Sequence, residues 1–217
     1  MVVELIAEEV HRICPPGRAF IAVDGVDGSG KSTFSAKLVQ QLHPRLVVVL
    51  HADDFLNPAP VRHAKGKHSP QGFWTNLYNY PAMMSYALDP LRPGGDGRYR
   101  PASYDSETDT VICPPLLRAP DDALVLVEGL FLHREELVDL WDLSIFLDVP
   151  FEETARRMAA RDGTHPDPRH DSMRRYIGGQ RIYFEQARPW EQATIIVDNT
   201  NFDDPRIIGA DQVSAAA

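Results

Sequence analysis

The chain is short of cysteine, short of positive charge and without long apolar runs, and each shortage removes a class of function. Its 217 residues include two cysteines, Cys14 and Cys113, far apart and each followed by proline. Neither metal-ligand spacing nor a redox pair results, which fits a reducing cytoplasm. Lys and Arg number 22 against 31 Asp and Glu, a net charge of −9. That balance argues against a nucleic-acid partner, because binding a phosphate backbone needs clustered cations. No apolar run reaches membrane-spanning length, so no membrane partner is expected. Glu4, Glu8 and Glu9 fall among Val3, Ile6, Val10 and Ile13 at helical spacing, unlike the basic start and apolar core of a secretory leader. Internal repeats are absent as well.

What is present is Gly25-Val26-Asp27-Gly28-Ser29-Gly30-Lys31-Ser32, a full match to the phosphate-loop pattern G-x-x-x-x-G-K-[ST]. The apolar run Ala19 to Asp24 leads in, as expected for a buried strand, and a helical pattern over 31–42 leads out, with Phe34, Leu38 and Leu42 on one face. In that context the backbone N–H groups from Gly25 through Asp27, Gly28, Ser29 and Gly30, with the helix N-terminus behind them, form an anion nest. The alternative is a plain glycine turn. Lys31 is expected to reach the β- and γ-phosphates of a nucleoside triphosphate, Ser32 to ligate magnesium, and Thr33 to pack or touch the α-phosphate.

Further strand candidates are 46–51, 123–127, 143–149 and 193–198, separated by helical patterns at 134–140, 151–162 and about 170–188. This alternation predicts an α/β fold, a parallel sheet with helices on both faces. The length suits a single domain spanning 1–217. Residues 56–120 are dense in proline, glycine and aromatics, with weak periodicity apart from a helix near 74–88. They read as an insertion that binds an acceptor over the carboxyl ends of the strands. The tail beyond Asp204 is expected to be frayed or surface-packed.

The second strand runs into His51-Ala52-Asp53-Asp54-Phe55, which brings carboxylates to the same sheet edge as the phosphate loop. Asp53 is the candidate base that takes a proton from an acceptor hydroxyl; capping of the next turn is the alternative for either aspartate. Glu128 ends the third strand, where an acid can hold magnesium or serve as a helix N-terminal charge. Arg156, Arg157 and Arg161 lie on a helical stretch, followed by a polar loop before Arg174 and Arg175. A mobile lid over about 157–173 would bring guanidinium groups onto the transferring phosphoryl; solvated charge is the alternative. Phe73, Trp74, Tyr78, Tyr80 and Tyr104 suit either an aromatic acceptor pocket or a core. His63, Lys65, Lys67 and His68 could admit an acceptor carrying negative charge or form a solvated loop.

Taken together these residues resemble the uridine kinase family, within the phosphate-loop group that includes nicotinamide riboside kinase, bacterial pantothenate kinase and phosphoribulokinase. The motifs carrying the resemblance are Gly25 to Thr33, Asp53-Asp54-Phe55, Tyr104-Asp105, Glu128-Gly129, and Asp142 to Asp148 running into Arg157-x-x-x-Arg161-Asp162. The resemblance implies a P-loop NTPase fold with five parallel strands in the nucleoside-kinase order. It implies use of ATP and Mg2+ to phosphorylate a hydroxyl of a small molecule, with a nucleoside as first choice and a pantothenate-like, nicotinamide riboside-like or sugar alcohol as alternatives. It makes Lys31, Asp53, Arg157 and Arg161 catalytic, and Ser32 and Glu128 the metal site. Asp53, Phe55, Asn79, Tyr80, Tyr104 and Glu128 fall on the acceptor side, and Asn199 near the adenine. Leu77-Tyr78-Asn79-Tyr80-Pro81 stands where uridine kinases carry Asn-Phe-Asp-His-Pro, so an amide replaces a ribose-binding acid. A guanine-nucleotide switch is the rival from another class, but Asn-Lys-x-Asp is missing and Glu128-Gly129 is not Asp-x-x-Gly. A homo-oligomer is compatible with all of this.

Overall fold

A computed structural model describes residues 1–214. Helix α1, Val2–Ile13, buries Val3, Ile6, Ala7 and Val10 at the spacing that places them on one face. Strand β1, Ala19–Gly25, is buried throughout and runs into the glycine loop and helix α2, Lys31–Gln41. Strand β2, Val47–His51, follows, then the insertion with helix α3, Pro70–Asn76. Strands β3, Leu124–Gly129, and β4, Leu143–Asp148, precede helix α4, Phe151–Asp162, and helix α5, Arg174–Ala187. Strands β5, Ile195–Asp198, and β6, Arg206–Ile208, end the sheet.

The sheet order is β6-β5-β4-β1-β3-β2, with every pair parallel except β5 with β6. Because both faces are covered, side chains of each central strand alternate between two cores. Ala19, Ile21 and Val23 of β1 join Leu124 and Leu126 of β3 and the helices α1 and α2. Phe20, Ala22, Val125 and Val127 join the insertion and Tyr183 of α5. Two-sided burial explains why these strands read as unbroken apolar runs.

Three expectations need correcting, on the strand number and on two helices, and the two readings of the tail are decided. The sheet has six strands instead of five, because the tail supplies β6, whose Ile207 pairs with Val197. This tail is not frayed over the described residues: Val213 is buried with Phe146, Trp190 and Ile196, and Ser214 donates its N–H and hydroxyl to Asp148 at 2.8 and 2.7 Å. No α-helix forms over 134–140; only a short 3-10 turn, Val138–Leu140, is present. The chain there is tied down at its start, where Leu132 and His133 donate their N–H groups to the Asp24 carboxylate at 3.1 and 3.3 Å and Trp141 Nε1 donates to Leu132 O at 2.8 Å. The helix expected near 74–88 is broken at 77–79. Asn57 Nδ2 takes the carbonyls of Asn76 and Tyr78, and Asn79 starts a new turn by accepting from Ala82 N–H at 3.1 Å. Pro81 cannot continue the donor series, so the break is local chemistry.

Candidate active site

Because β2, β3 and β1 are adjacent and parallel, their carboxyl ends open side by side, with His51 level with Glu128 and Asp24 level with Gly129. The sheet thereby brings the glycine loop, Asp53 and Glu128 to one edge, as the motif order implied. Gly28 and Gly30 adopt φ of 74° and 90°, a region open to glycine at little cost. A Cβ on Gly28 would sit 2.7 Å from Thr154 O, and one on Gly30 would strike the Phe202 ring. The loop therefore fits only a bare backbone. Lys31 Nζ crosses it, donating to Gly25 O and Val26 O at 3.1 and 3.0 Å.

Two residues expected at the nucleotide are found bracing this loop from behind. Asn199, 3 % exposed, donates Nδ2 to Ser29 O at 2.8 Å. Arg157 donates to Asn199 O at 3.0 Å, Thr200 O at 2.8 Å and Gly28 O at 3.2 Å, pairs with Glu153 at 2.8 Å, and lies 3.8 Å from the Phe202 ring centre. Its guanidinium is spent on main-chain carbonyls, which corrects the assignment of Arg157 to a lid. Arg161, one turn later, pairs with Asp162 and lines the cavity above the loop.

That cavity, about 500 Å3, is walled by Asp27, Gly28, Gly30, Lys31, Ser32 and Thr33 on one side and by His51, Asp53, Asp54 and Glu128 on the other. Glu128 Oε1 accepts from Ser32 Oγ at 2.8 Å and from His51 Nδ1 at 2.6 Å. Burial alone would raise the Glu128 pKa, but hydrogen bonds from His51 and Ser32, with Lys31 nearby, hold it below the ordinary value. Its second oxygen, Oε2, is buried with no partner among the described residues. An ionised acid with an orphaned oxygen beside a hydroxyl is a donor set that fits a hard divalent cation. His51 was not singled out from the sequence, though its place at the end of β2 beside Glu128 is the signal that could have found it.

Asp53 is held by Tyr78, whose buried hydroxyl donates to Oδ1 at 2.8 Å. Burial and then the Asp53 charge keep Tyr78 well above the usual phenol range, so it remains a donor. The Asp53 carboxylate lines the phosphate cavity and also a second one of about 270 Å3, and Asp27 and Leu130 share that boundary. Gln180 of α5 donates to Asp27 at 3.2 Å. Leu56, Arg62, His63, Phe73, Leu77, Arg175 and Tyr176 complete the second cavity.

Of the residues expected to touch an acceptor, Glu128 lines the phosphate cavity alone and four lie outside both cavities. Phe55 is 1 % exposed and belongs to the core. Asn79 is used as the cap described above, Tyr80 packs its ring 4.3 Å from the Arg134 guanidinium, and buried Tyr104 hydrogen-bonds Asp109 and Arg62. Phe55 lies in, and half-buried Tyr80 packs against, the core that the insertion builds for itself, in which aromatics are the main filling.

A parallel 2-3-1-4-5 sheet, a glycine loop ending in Lys and Ser, and an acid at the end of the neighbouring strand define a P-loop kinase fold. The chain belongs to the phosphoribulokinase/uridine kinase family, whose model matches residues 20–166. It is 28% identical over 147 residues to a uridine kinase of Lactiplantibacillus plantarum, covering 65% of this chain and 66% of that protein. It is 30% identical over 154 residues to human nicotinamide riboside kinase 2, covering 70% of this chain and 61% of that protein. The matches thus span less than two thirds of the length of these relatives. A solved structure of a possible uridine kinase from Bacillus stearothermophilus superposes with a TM-score of 0.71 at 21% identity, over 89% of this chain and 96% of that one.

Proposed function

We propose that the protein transfers the γ-phosphoryl group of ATP to a hydroxyl of a small molecule. The observation that carries this reading is the Asp53 carboxylate on the wall shared by two cavities, one lined by the phosphate loop and one by the insertion. Backbone N–H groups of the loop and Lys31 hold the triphosphate, and Arg161, with the segment up to residue 173, closes over it against water. Asp53, oriented by Tyr78, takes the hydroxyl proton as the acceptor oxygen bonds to phosphorus and the bond to the ADP oxygen breaks. Ser32 and Glu128 would hold Mg2+, which neutralises charge on the phosphate oxygens.

The names of the relatives support a nucleoside acceptor. Asn79, used as a helix cap, does not add to that support. In an ADP-release assay over nucleosides, sugars and other alcohols, at least one acceptor should raise the rate above the ATP-only background. Asp53→Asn should lower that turnover by about 10²–10⁴-fold while calorimetry still detects ATP binding. Wild-type turnover in the variant would remove Asp53 from the reaction.

A further inference from the structure

The second cavity carries basic residues in its wall as well as Asp27 and Asp53. Arg62, His63 and Arg175 enter it from the insertion and from α5, above the rings of Phe73 and Tyr176. Arg175 donates Nη1 to His63 Nε2 at 3.1 Å and to Lys67 O at 3.3 Å. Among the described residues those are its only hydrogen bonds and no carboxylate pairs with it, so Nη2 and Nε have no protein partner. Arg62, with a side chain 17% exposed, has one acidic partner, Asp109 at 3.2 Å, and its Nε is buried without one.

Two guanidinium groups meet beside a histidine here, with Asp109 the one acid in ion-pair contact and Asp27 and Asp53 elsewhere on the cavity wall. Such crowding costs electrostatic energy unless an anion joins it. The histidine registers the field: burial first, then the charges of Arg175, Arg62 and Lys67, push its pKa below the ordinary value. It is therefore neutral at pH 7, with Nε2 accepting from Arg175 and Nδ1 free to donate. Arginine forks suit the two oxygens of a carboxylate or phosphate. The cavity volume of about 270 Å3 falls just below the usual range of ligand sites, roughly 300–1,000 Å3, which suits a small acceptor.

We propose that the acceptor is a small alcohol bearing an oxyanion, a carboxylate or a phosphate monoester, with its hydroxyl at Asp53 and its anionic end on Arg175, Arg62 and His63. The proposal rests on the kinase reading above and narrows it: the three basic residues determine specificity. They line the second cavity and not the phosphate cavity, so the acceptor is oriented by opposite demands at its two ends. Its anion is drawn to the arginines and repelled by Asp27 and Asp53, which leaves the hydroxyl facing the base.

The test uses the full chain in two assays. In calorimetry, with the phosphate loop saturated by a non-hydrolysable ATP analogue and Mg2+, wild-type protein should bind glycolate or inorganic phosphate. Arg175→Gln and Arg62→Gln should weaken that binding by roughly 10- to 100-fold without changing affinity for the analogue, and Arg175→Lys should recover part of it. In ADP release, glycolate is set against glycolamide and glycerol 3-phosphate against glycerol, so that carboxylate and phosphate are told apart. The charged member of at least one pair should be favoured roughly 10²-fold or more in kcat/KM, with the arginine variants acting on acceptor KM more than on kcat. Absence of anion binding by the wild type, or binding untouched in both folded glutamine variants, overturns the proposal, as does selective turnover of neutral nucleosides. Anion binding that needs Arg175 together with no ADP release from any alcohol would instead sink the kinase reading and leave the anion site standing.

Discussion

Arg157 and Arg161 stand one helical turn apart on α4, yet their surroundings give them different work. Arg157 is packed under the phosphate loop, and its donors satisfy the carbonyls of Gly28, Asn199 and Thr200. Arg161 is exposed, paired with its neighbour Asp162, and lines the phosphate cavity. Removing Arg157 orphans those carbonyls, so Arg157→Ala should cost about 2 kcal/mol or more of stability, because hydrogen bonds from charged donors are among the stronger ones. Arg161→Ala removes an exposed ion pair of little weight and should leave the unfolding midpoint where it was. Its effect should fall on kcat, by about 10²–10³-fold, as for loss of one charge-stabilising donor. Denaturant titration and steady-state rates on the two variants check this; a stability loss confined to Arg161→Ala would reverse the two roles. Lys31→Ala belongs with the second type, with turnover lowered by orders of magnitude and the fold intact.

Among the elements, the strands were legible because burial on both faces leaves a run of Val, Ile and Leu that few other settings produce, and each strand formed within two residues of its expected bounds. The phosphate loop, Asp53 and Glu128 were legible for a related reason: they sit at strand ends, where sequence order fixes position in space. The second cavity was not. Arg62 and Arg175 are 113 residues apart and meet only because α5 packs against α3, which no local periodicity records. Asn79, Tyr80 and Tyr104 were misjudged because a polar or aromatic residue in a loop reads alike whether it faces a ligand or fills the insertion's own core. The strand in the tail was not foreseen because β6 has only three residues, too few for an alternating pattern. The tail's contribution is measurable. Val213, 3% exposed, fills a cluster with Phe146, Trp190 and Ile196, so Val213→Ala should cost about 2 kcal/mol from two lost methyl groups and the space they leave. A change near zero in urea unfolding would restore the frayed tail.

On the scale of the whole molecule, one buried carboxylate joins the parts that carry the site. Asp24, at the end of β1, accepts from Gly25 N–H at 2.7 Å, from Leu132 N–H and His133 N–H, from His133 Nδ1 at 2.8 Å and from the Tyr183 hydroxyl. The central strand, the segment after β3 and α5 are thereby tied at one point just below the phosphate loop. Burial alone would push the Asp24 pKa up, but hydrogen bonds from His133, Tyr183 and Gly25 outweigh it and hold the pKa below the ordinary value. The sign of the linkage follows. A folded-state pKa below the unfolded one stabilises the fold above the unfolded value, about 3.9, and that stability is lost as pH falls through the folded value. Asp24→Asn keeps the shape but removes the charge, and should cost about 3 kcal/mol at pH 7, the low end for breaking a buried charged network. Other carboxylates also titrate in this range, so the informative quantity is the difference between wild type and variant. Urea midpoints taken from pH 7 down to pH 2 should show that difference constant to about pH 4 and then shrinking. Two curves that stay parallel throughout would mean that folding leaves the Asp24 pKa at its unfolded value, and a wild-type curve that gains on the variant as pH falls would mean that Asp24 is protonated in the native state.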